Sequence, residues 1–240
     1  MERADAVSSE VVIVALGLDP RRLARCTALL DEDETRRAAR FLRQADRDRF
    51  ITSHAALRVV LGHVLDLPPG ELRFGREETG RPHLSAPSDS GLDFNLSHSG
   101  EIALIGLTRE GRIGVDVEIR RPLPDALRIA RGHFAPDEAR ALEALLISEQ
   151  EAAFFGLWTR KEAVVKALGA GLSRPLSSFS VTVPPQPPEM LRMAEGTRSW
   201  SLASLGLGPD VFATAAITAP GLAIAHRALP TEWTDGFDAK

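Results

Sequence analysis

Phe154-Phe155-Gly156-Leu157-Trp158-Thr159-Arg160-Lys161-Glu162-Ala163-Val164-Val165-Lys166-Ala167-Leu168 is the stretch on which the reading of this chain turns. Ser148 with Glu151 three residues on predicts a capping-box start, and Gly169 predicts the stop, so the segment reads as one helix. Trp158, Glu162 and Lys166 recur at four-residue intervals and share a face, while the aromatic and branched residues between them can bury the remainder. Among 29 Lys and Arg residues only Lys161, Lys166 and Lys240 are lysine, so two of three fall in this helix. Arginine serves on solvated surfaces, whereas a compact point charge is harder to replace. On its own the helix is explained equally well by a solvated Glu162 to Lys166 pair.

Working outward, Val115-Asp116-Val117-Glu118-Ile119 alternates apolar and acidic residues. A strand sends alternate side chains to opposite faces, so Asp116 and Glu118 project together. Alone, this is also what a strand with one solvated face looks like. With Glu162 as a third carboxylate, an oxygen-ligand site for Mg²⁺ becomes credible. Gly80-Arg81-Pro82 and Ser97-His98-Ser99-Gly100 add an arginine in a rigid turn, hydroxyls and an imidazole, all suited to an anion.

Composition bounds what these clusters serve. With 240 residues, 44% of them hydrophobic, the chain can bury a full core as one large or two small domains. A formal charge of −4 gives no global basic field for nucleic acid. No apolar run approaches the roughly 18 residues that span a bilayer, and Val11 to Leu18 reads as a first strand, not a signal peptide. Cys26, the single cysteine, excludes intrachain disulfides and makes a cytoplasmic setting the expectation. The phosphate cradles of P-loop and dinucleotide proteins are missing, as is a serine nucleophile elbow.

Along the chain, Val11 to Leu16 predicts a strand, 21 to 48 a polar arginine-rich segment, and Phe50 to Leu65 an amphipathic helix stopped by Pro68-Pro69. Short strands follow at 72–74, at Asp93 onward, ending in a polar loop at Ser97 to Gly100, and at 102–107. The turn Arg109 to Arg112 predicts a hairpin joining 102–107 to 113–119. Helices at 125–131 and 136–146 precede the central helix, and strands at 178–183, 200–202, 211–218 and 222–226 follow. Strand, long helix, strands is thus run through twice, which suggests an α+β fold of two similar halves, 1–112 and 113–240.

Gly80-Arg81-Pro82, Phe94-Asn95-Leu96-Ser97-His98-Ser99, Gly114-Val115-Asp116-Val117-Glu118, Trp158 to Lys166 and Leu176-Ser177-Ser178-Phe179 occur in this order. Together they resemble the 4′-phosphopantetheinyl transferases, of the type that activates surfactin synthetase, over about residues 35 to 183. The resemblance implies two pseudo-twofold α/β halves with the active site in the cleft between them. It implies a Mg²⁺-dependent transfer of 4′-phosphopantetheine from coenzyme A to a serine of an apo acyl, peptidyl or aryl carrier protein, releasing 3′,5′-ADP. By motif position Asp116, Glu118 and Glu162 would hold the metal, and Arg81, Ser97 and His98 would meet coenzyme A. Lys161 and Lys166 would lie beside the pyrophosphate, and Arg37 would reach the 3′-phosphate. Glu162, Lys166 and His98 would be catalytic, with Glu162 or a metal-bound water as base.

A nucleophile that arrives on a partner fits a chain that supplies none. Carrier proteins are acidic near the modified serine, which makes Arg120, Arg121, Arg128 and Arg131 docking candidates on an expected monomer. A Mg²⁺-dependent phosphohydrolase and a non-catalytic coenzyme A or carrier-binding module are the rival readings.

Overall fold

The computed structural model describes residues 9–17, 19–194 and 200–235; Leu18 and Lys240, both named above, lie outside them. In chain order the elements are β1 (Ser9–Ala15), α1 (Pro20–Leu29), α2 (Glu32–Ala38), α3 (Gln44–Leu65), β2 (Arg73–Arg76), β3 (Pro82–Ala86), β4 (Asp93–Ser99), β5 (Ile102–Thr108) and β6 (Ile113–Ile119). Then come α4 (Ala126–His133), α5 (Pro136–Glu143), α6 (Ile147–Leu168), β7 (Ser180–Val181), β8 (Met190–Arg192), β9 (Ser201–Ser204), β10 (Val211–Ile217) and β11 (Ala225–Ala228). The fold is mixed α+β. Among the described residues no helix is long and apolar enough to cross a membrane.

Two sheets carry the structure, ordered β11-β1-β5-β4 and β6-β10-β9, with β2-β3 and β7-β8 as small ribbons. Strand alternation decides what each face of them meets. Val12, Val14, Ala103, Ile105 and Leu107 face α3, packing on Ala56, Leu57, Val60 and Leu61. Val11 and Leu104 point the other way, onto Ile113, Val115 and Val117 of the second sheet. The opposite face of that sheet receives α6, and the layers run helix, sheet, sheet, helix.

The two sheets meet along their edge strands. Asp93, Asn95, Ser97 and Ser99 lie on one face of β4, and all four reach β6. Asp93 Oδ2 accepts from Ile113 N at 2.7 Å, Asn95 Oδ1 from Val115 N at 2.9 Å and Ser99 Oγ from Ile119 N at 3.2 Å. Side chains thereby satisfy main-chain donors that an edge strand would otherwise leave unpaired.

This arrangement corrects the expected hairpin. β5 already has β1 and β4 as partners, so β6 cannot pair with it and instead pairs antiparallel with β10. The tight hairpin is β4-β5, turned at Gly100, whose φ of 53° suits glycine. The polar loop expected at Ser97 to Gly100 is strand as far as Ser99. α3 begins at Gln44, earlier than the apolar pattern indicates. β11 runs parallel to β1, so residues of the second half of the sequence complete the sheet of the first.

α6 is buried almost all round, as its composition predicts. Its capping box is not formed: Leu146 is the N-cap without a side-chain bond, and Glu151 instead accepts from Leu123 N and Arg120 Nε, both at 3.0 Å. Gly169, at φ 68°, closes the helix as expected. Gly114 lets the helix approach the sheet, since a β-carbon there would stand 2.0 Å from Ala163 O.

Lys161 anchors the other side of α6. It is fully buried, and its Nζ donates to Glu138 Oε1 at 2.7 Å, Glu138 Oε2 at 2.6 Å and Phe179 O at 2.9 Å. Burial pulls its pKa down to about 8, with the Glu138 carboxylate opposing. With no exposed surface and both oxygens of the equally buried Glu138 against it, this ammonium forms a structural pair, unlike the partly exposed Lys166.

Gly114→Ala should cost at least about 3 kcal/mol, because main chain, not a flexible side chain, meets the added methyl. Glu138→Ala should cost about 3–5 kcal/mol by stranding a buried ammonium, whereas Arg128→Ala, at the exposed pair with Asp125, should leave stability nearly unchanged. Denaturant unfolding of the three variants checks the ranking; a Glu138→Ala protein as stable as Arg128→Ala would show that the buried pair is no anchor.

Candidate active site

Only three polar or aromatic positions along the middle of α6 escape full burial on its open side: Trp158, Glu162 and Lys166, the face that the four-residue spacing predicts. Opposite them stand Asp116 and Glu118 of β6, which face α6 because Val115 and Val117 face the first sheet. Lys166 Nζ donates to Asp116 Oδ1 at 2.6 Å, to Ser97 Oγ at 2.8 Å and to Val115 O at 3.2 Å. Ser97 Oγ in turn donates to Asp116 Oδ1 at 3.1 Å. One ammonium therefore ties α6, β4 and β6 together at the point where the two sheets join.

The acids beside it are incompletely satisfied. Asp116 Oδ2 is buried and accepts no hydrogen bond. Burial raises the pKa of Asp116; Lys166 opposes the rise and Glu118 adds to it. Glu162 is raised by burial and then by Asp116, against Lys166, with a further push from Glu118. The three carboxylates thus feel one another, as side chains converging on one region must. Glu118 is held by Arg121 Nη1 at 2.8 Å and Ser99 Oγ at 3.4 Å. Among the described residues no three His, Cys, Asp or Glu side chains are gathered closely enough to ligate one metal as they stand. Lys166 on Asp116 and Arg121 on Glu118 supply the counter-charge here.

Strand alternation separates Ser97 from its neighbour His98, which the loop reading kept together. His98 lies on the α3 side, exposed at the rim; partial burial, then the cations Lys166 and Arg49, push its imidazole below the usual 6.5, an effect moderated by its exposure. It is a neutral ring at pH 7, not a fixed cation. His54, which the sequence left unassigned, lies on the same side: its ring stacks on Phe50 at 3.8 Å, and burial followed by Arg37 lowers its pKa to about 3. Arg37 sits over the other neighbour of that stack, 4.9 Å from the Phe50 centroid. A histidine one helical turn from Phe50 was the available signal.

Arg81 does not face the site as expected. Its Nη2 donates to Ile113 O at 2.7 Å, Asp93 Oδ2 at 2.8 Å and Phe94 O at 3.0 Å, and the side chain is 5% exposed. The guanidinium is a strut between β4 and β6, its donors spent on main-chain oxygens and Asp93. The four docking arginines are also engaged: Arg120 with Glu151, Arg121 with Glu118, Arg128 with Asp125 and Arg131 with Glu143. A large cavity of about 1130 Å³ lies elsewhere, between the C-terminal half of α3 and residues 225–233, and touches none of the site residues.

Two family models match in succession: one described as 4′-phosphopantetheinyl transferase, N-terminal, over residues 19–109, and one described as the 4′-phosphopantetheinyl transferase superfamily over 112–219. The 4′-phosphopantetheinyl transferase HetI of Nostoc is 36% identical over 218 residues, covering 90% of each chain. Sfp of Bacillus subtilis, a protein of the same name, is 32% identical over 157 residues, 65% of this chain and 68% of its own. AcpT of Salmonella typhimurium is 39% identical over 132 residues, 55% of this chain and 66% of its own. With its acids, ammonium and hydroxyl meeting at the sheet junction, this chain belongs to the 4′-phosphopantetheinyl transferase superfamily and is an enzyme of that class.

Proposed function

We propose that the chain transfers 4′-phosphopantetheine from coenzyme A to a serine of an apo acyl, peptidyl or aryl carrier protein, with Mg²⁺, and that it is of the surfactin synthetase-activating type. The observation that carries this reading is the buried, unpartnered Oδ2 of Asp116 beside Lys166, Glu118 and Glu162. A site of oxygen donors with one orphaned carboxylate oxygen fits a hard divalent ion. Asp116, Glu118 and Glu162 would hold Mg²⁺, which when bound supplies positive charge to a pyrophosphate.

The carrier serine Oγ forms a bond to the β-phosphorus of coenzyme A while the bond from that phosphorus to the bridging oxygen breaks, and 3′,5′-ADP departs with the electron pair. Glu162 accepts the serine proton as the half-buried carboxylate on the open face of α6. Lys166, already fixed by three acceptors, is positioned to meet charge developing on the phosphoryl oxygens. Ser97 orients that ammonium, and His98 donates to a phosphate from the rim as a neutral ring. Arg37 serves the 3′-phosphate, supported by its place over Phe50 and the neighbouring cation Arg76, which with burial lowers its pKa.

We read the halves as dividing at 112/113, in support of which the two family models adjoin there. A cytoplasmic monomer is our reading of its setting, in keeping with a single buried thiol.

Incubation of the chain with coenzyme A, Mg²⁺ and an apo carrier protein should add one phosphopantetheine by intact mass. Hydrolysis of coenzyme A without any modified carrier would favour a phosphohydrolase and sink the proposal. Asp116→Ala and Glu162→Gln should each lower transfer at least about a thousandfold with unchanged circular dichroism. Near-normal turnover in either variant would place the chemistry elsewhere.

A further inference from the structure

Large apolar side chains stand exposed in adjacent pairs at two corners of the described surface, with Leu191 of β8 exposed singly elsewhere. Leu146 (69%) and Ile147 (88%) lie at the start of α6, and Phe41 (36%) and Leu42 (101%) lie between α2 and α3. The first pair is about 22 Å along α6 from Glu162, given the rise of a helix. The second lies on the α3 side, as His98 does. Phe41 packs on Phe50 at 5.3 Å, Phe50 stacks on His54, and the same start of α3 sends Arg49 to Glu101, just past the β4-β5 turn.

Charge distinguishes the second corner further. Several exposed arginines of this chain are matched to an acid, as the pairs at Arg36, Arg120, Arg128 and Arg131 show. Arg40 and Arg43, which bracket Phe41 and Leu42, are exposed, and their side chains make no ion pair or hydrogen bond among the described residues. Arg47 spends its Nη2 on Phe41 O, at 3.3 Å, and so holds the corner in shape. On a chain of net charge −4, an uncovered leucine between two unneutralised guanidiniums is a local surplus that asks for an acidic, partly apolar partner.

We propose that the corner Arg40-Phe41-Leu42-Arg43 is the docking surface for the carrier protein, receiving an acidic amphipathic helix with Leu42 between its apolar side chains. This rests on the transferase reading above. A second copy of the chain fits less well, because a self-complementary contact would set these arginines against themselves. The partner's serine must arrive within reach of Glu162 and Lys166, and this corner stands on the α3 side of that site.

The test is steady-state transfer at saturating coenzyme A with varied apo carrier, using Leu42→Glu and the double variant Arg40→Glu/Arg43→Glu. Both changes are fully on the surface. Each should raise the carrier KM on the order of tenfold or more while kcat and the Kd for coenzyme A stay within about twofold. A carrier with the acids of its docking helix changed to lysine should recover kcat/KM with the double variant, and Ile147→Glu should match the unmutated chain. An unmoved carrier KM would overturn the assignment. So would a fall in coenzyme A affinity, which would make the arginines part of the nucleotide site. Leu42-dependent dimers in light scattering, or Leu42-dependent binding to anionic vesicles, would hand the corner to a second copy or a lipid surface. If the unmutated chain modifies no carrier at all, the transferase reading itself falls, an outcome distinct from an active enzyme indifferent to this corner.

Discussion

Two edge strands that cannot pair in the ordinary way hold this molecule together. β4 and β6 each end a sheet, and a sheet edge presents main-chain donors that must find partners once covered. Three polar side chains from one face of β4 meet that demand, and Ser97 on the same face reaches the Asp116 carboxylate. Asp93 also fixes Arg81, Ser99 also touches Glu118, and Ser97 links Lys166 to Asp116. The reactive constellation is thus the continuation of a structural seam. Its acids are not grafted onto a finished scaffold but lie where the seam runs out toward α6.

Electrostatics follow from that location. A seam between layers is dry, and dryness raises the carboxyl pKa of Asp116 and Glu162 faster than the single ammonium of Lys166 can lower it. An unbalanced negative cluster of this kind is unfavourable for the fold by itself. Positive charge brought to such a cluster would offset that cost.

Much of this was legible in the residues. Alternation over 115–119 gave the facing of Asp116 and Glu118, and four-residue spacing gave the open face of α6. The hairpin was misread because a turn signal at Arg109 to Arg112 is local, while the pairing of β5 was already taken by β1, nearly a hundred residues earlier. Glu151 was misread as a cap because its carboxylate is recruited by Leu123 and Arg120, which no nearby residue announces. Lys161 and His98 are different cases. Lys161 is five residues before Lys166, about 140° round the helix, and His98 alternates with Ser97 on its strand, so periodicity alone separates each from the company it was given. Rarity of a residue type says that its chemistry is wanted, not which way it points.

β11 gives the first sheet its closure. The superfamily match ends at residue 219, yet Ala225 to Ala228 lie alongside β1 and cover what would otherwise be a bare border of the first sheet. The sheet therefore extends past the family-model match, and the first and last strands of the described residues are neighbours, clasping its border like the ends of a belt.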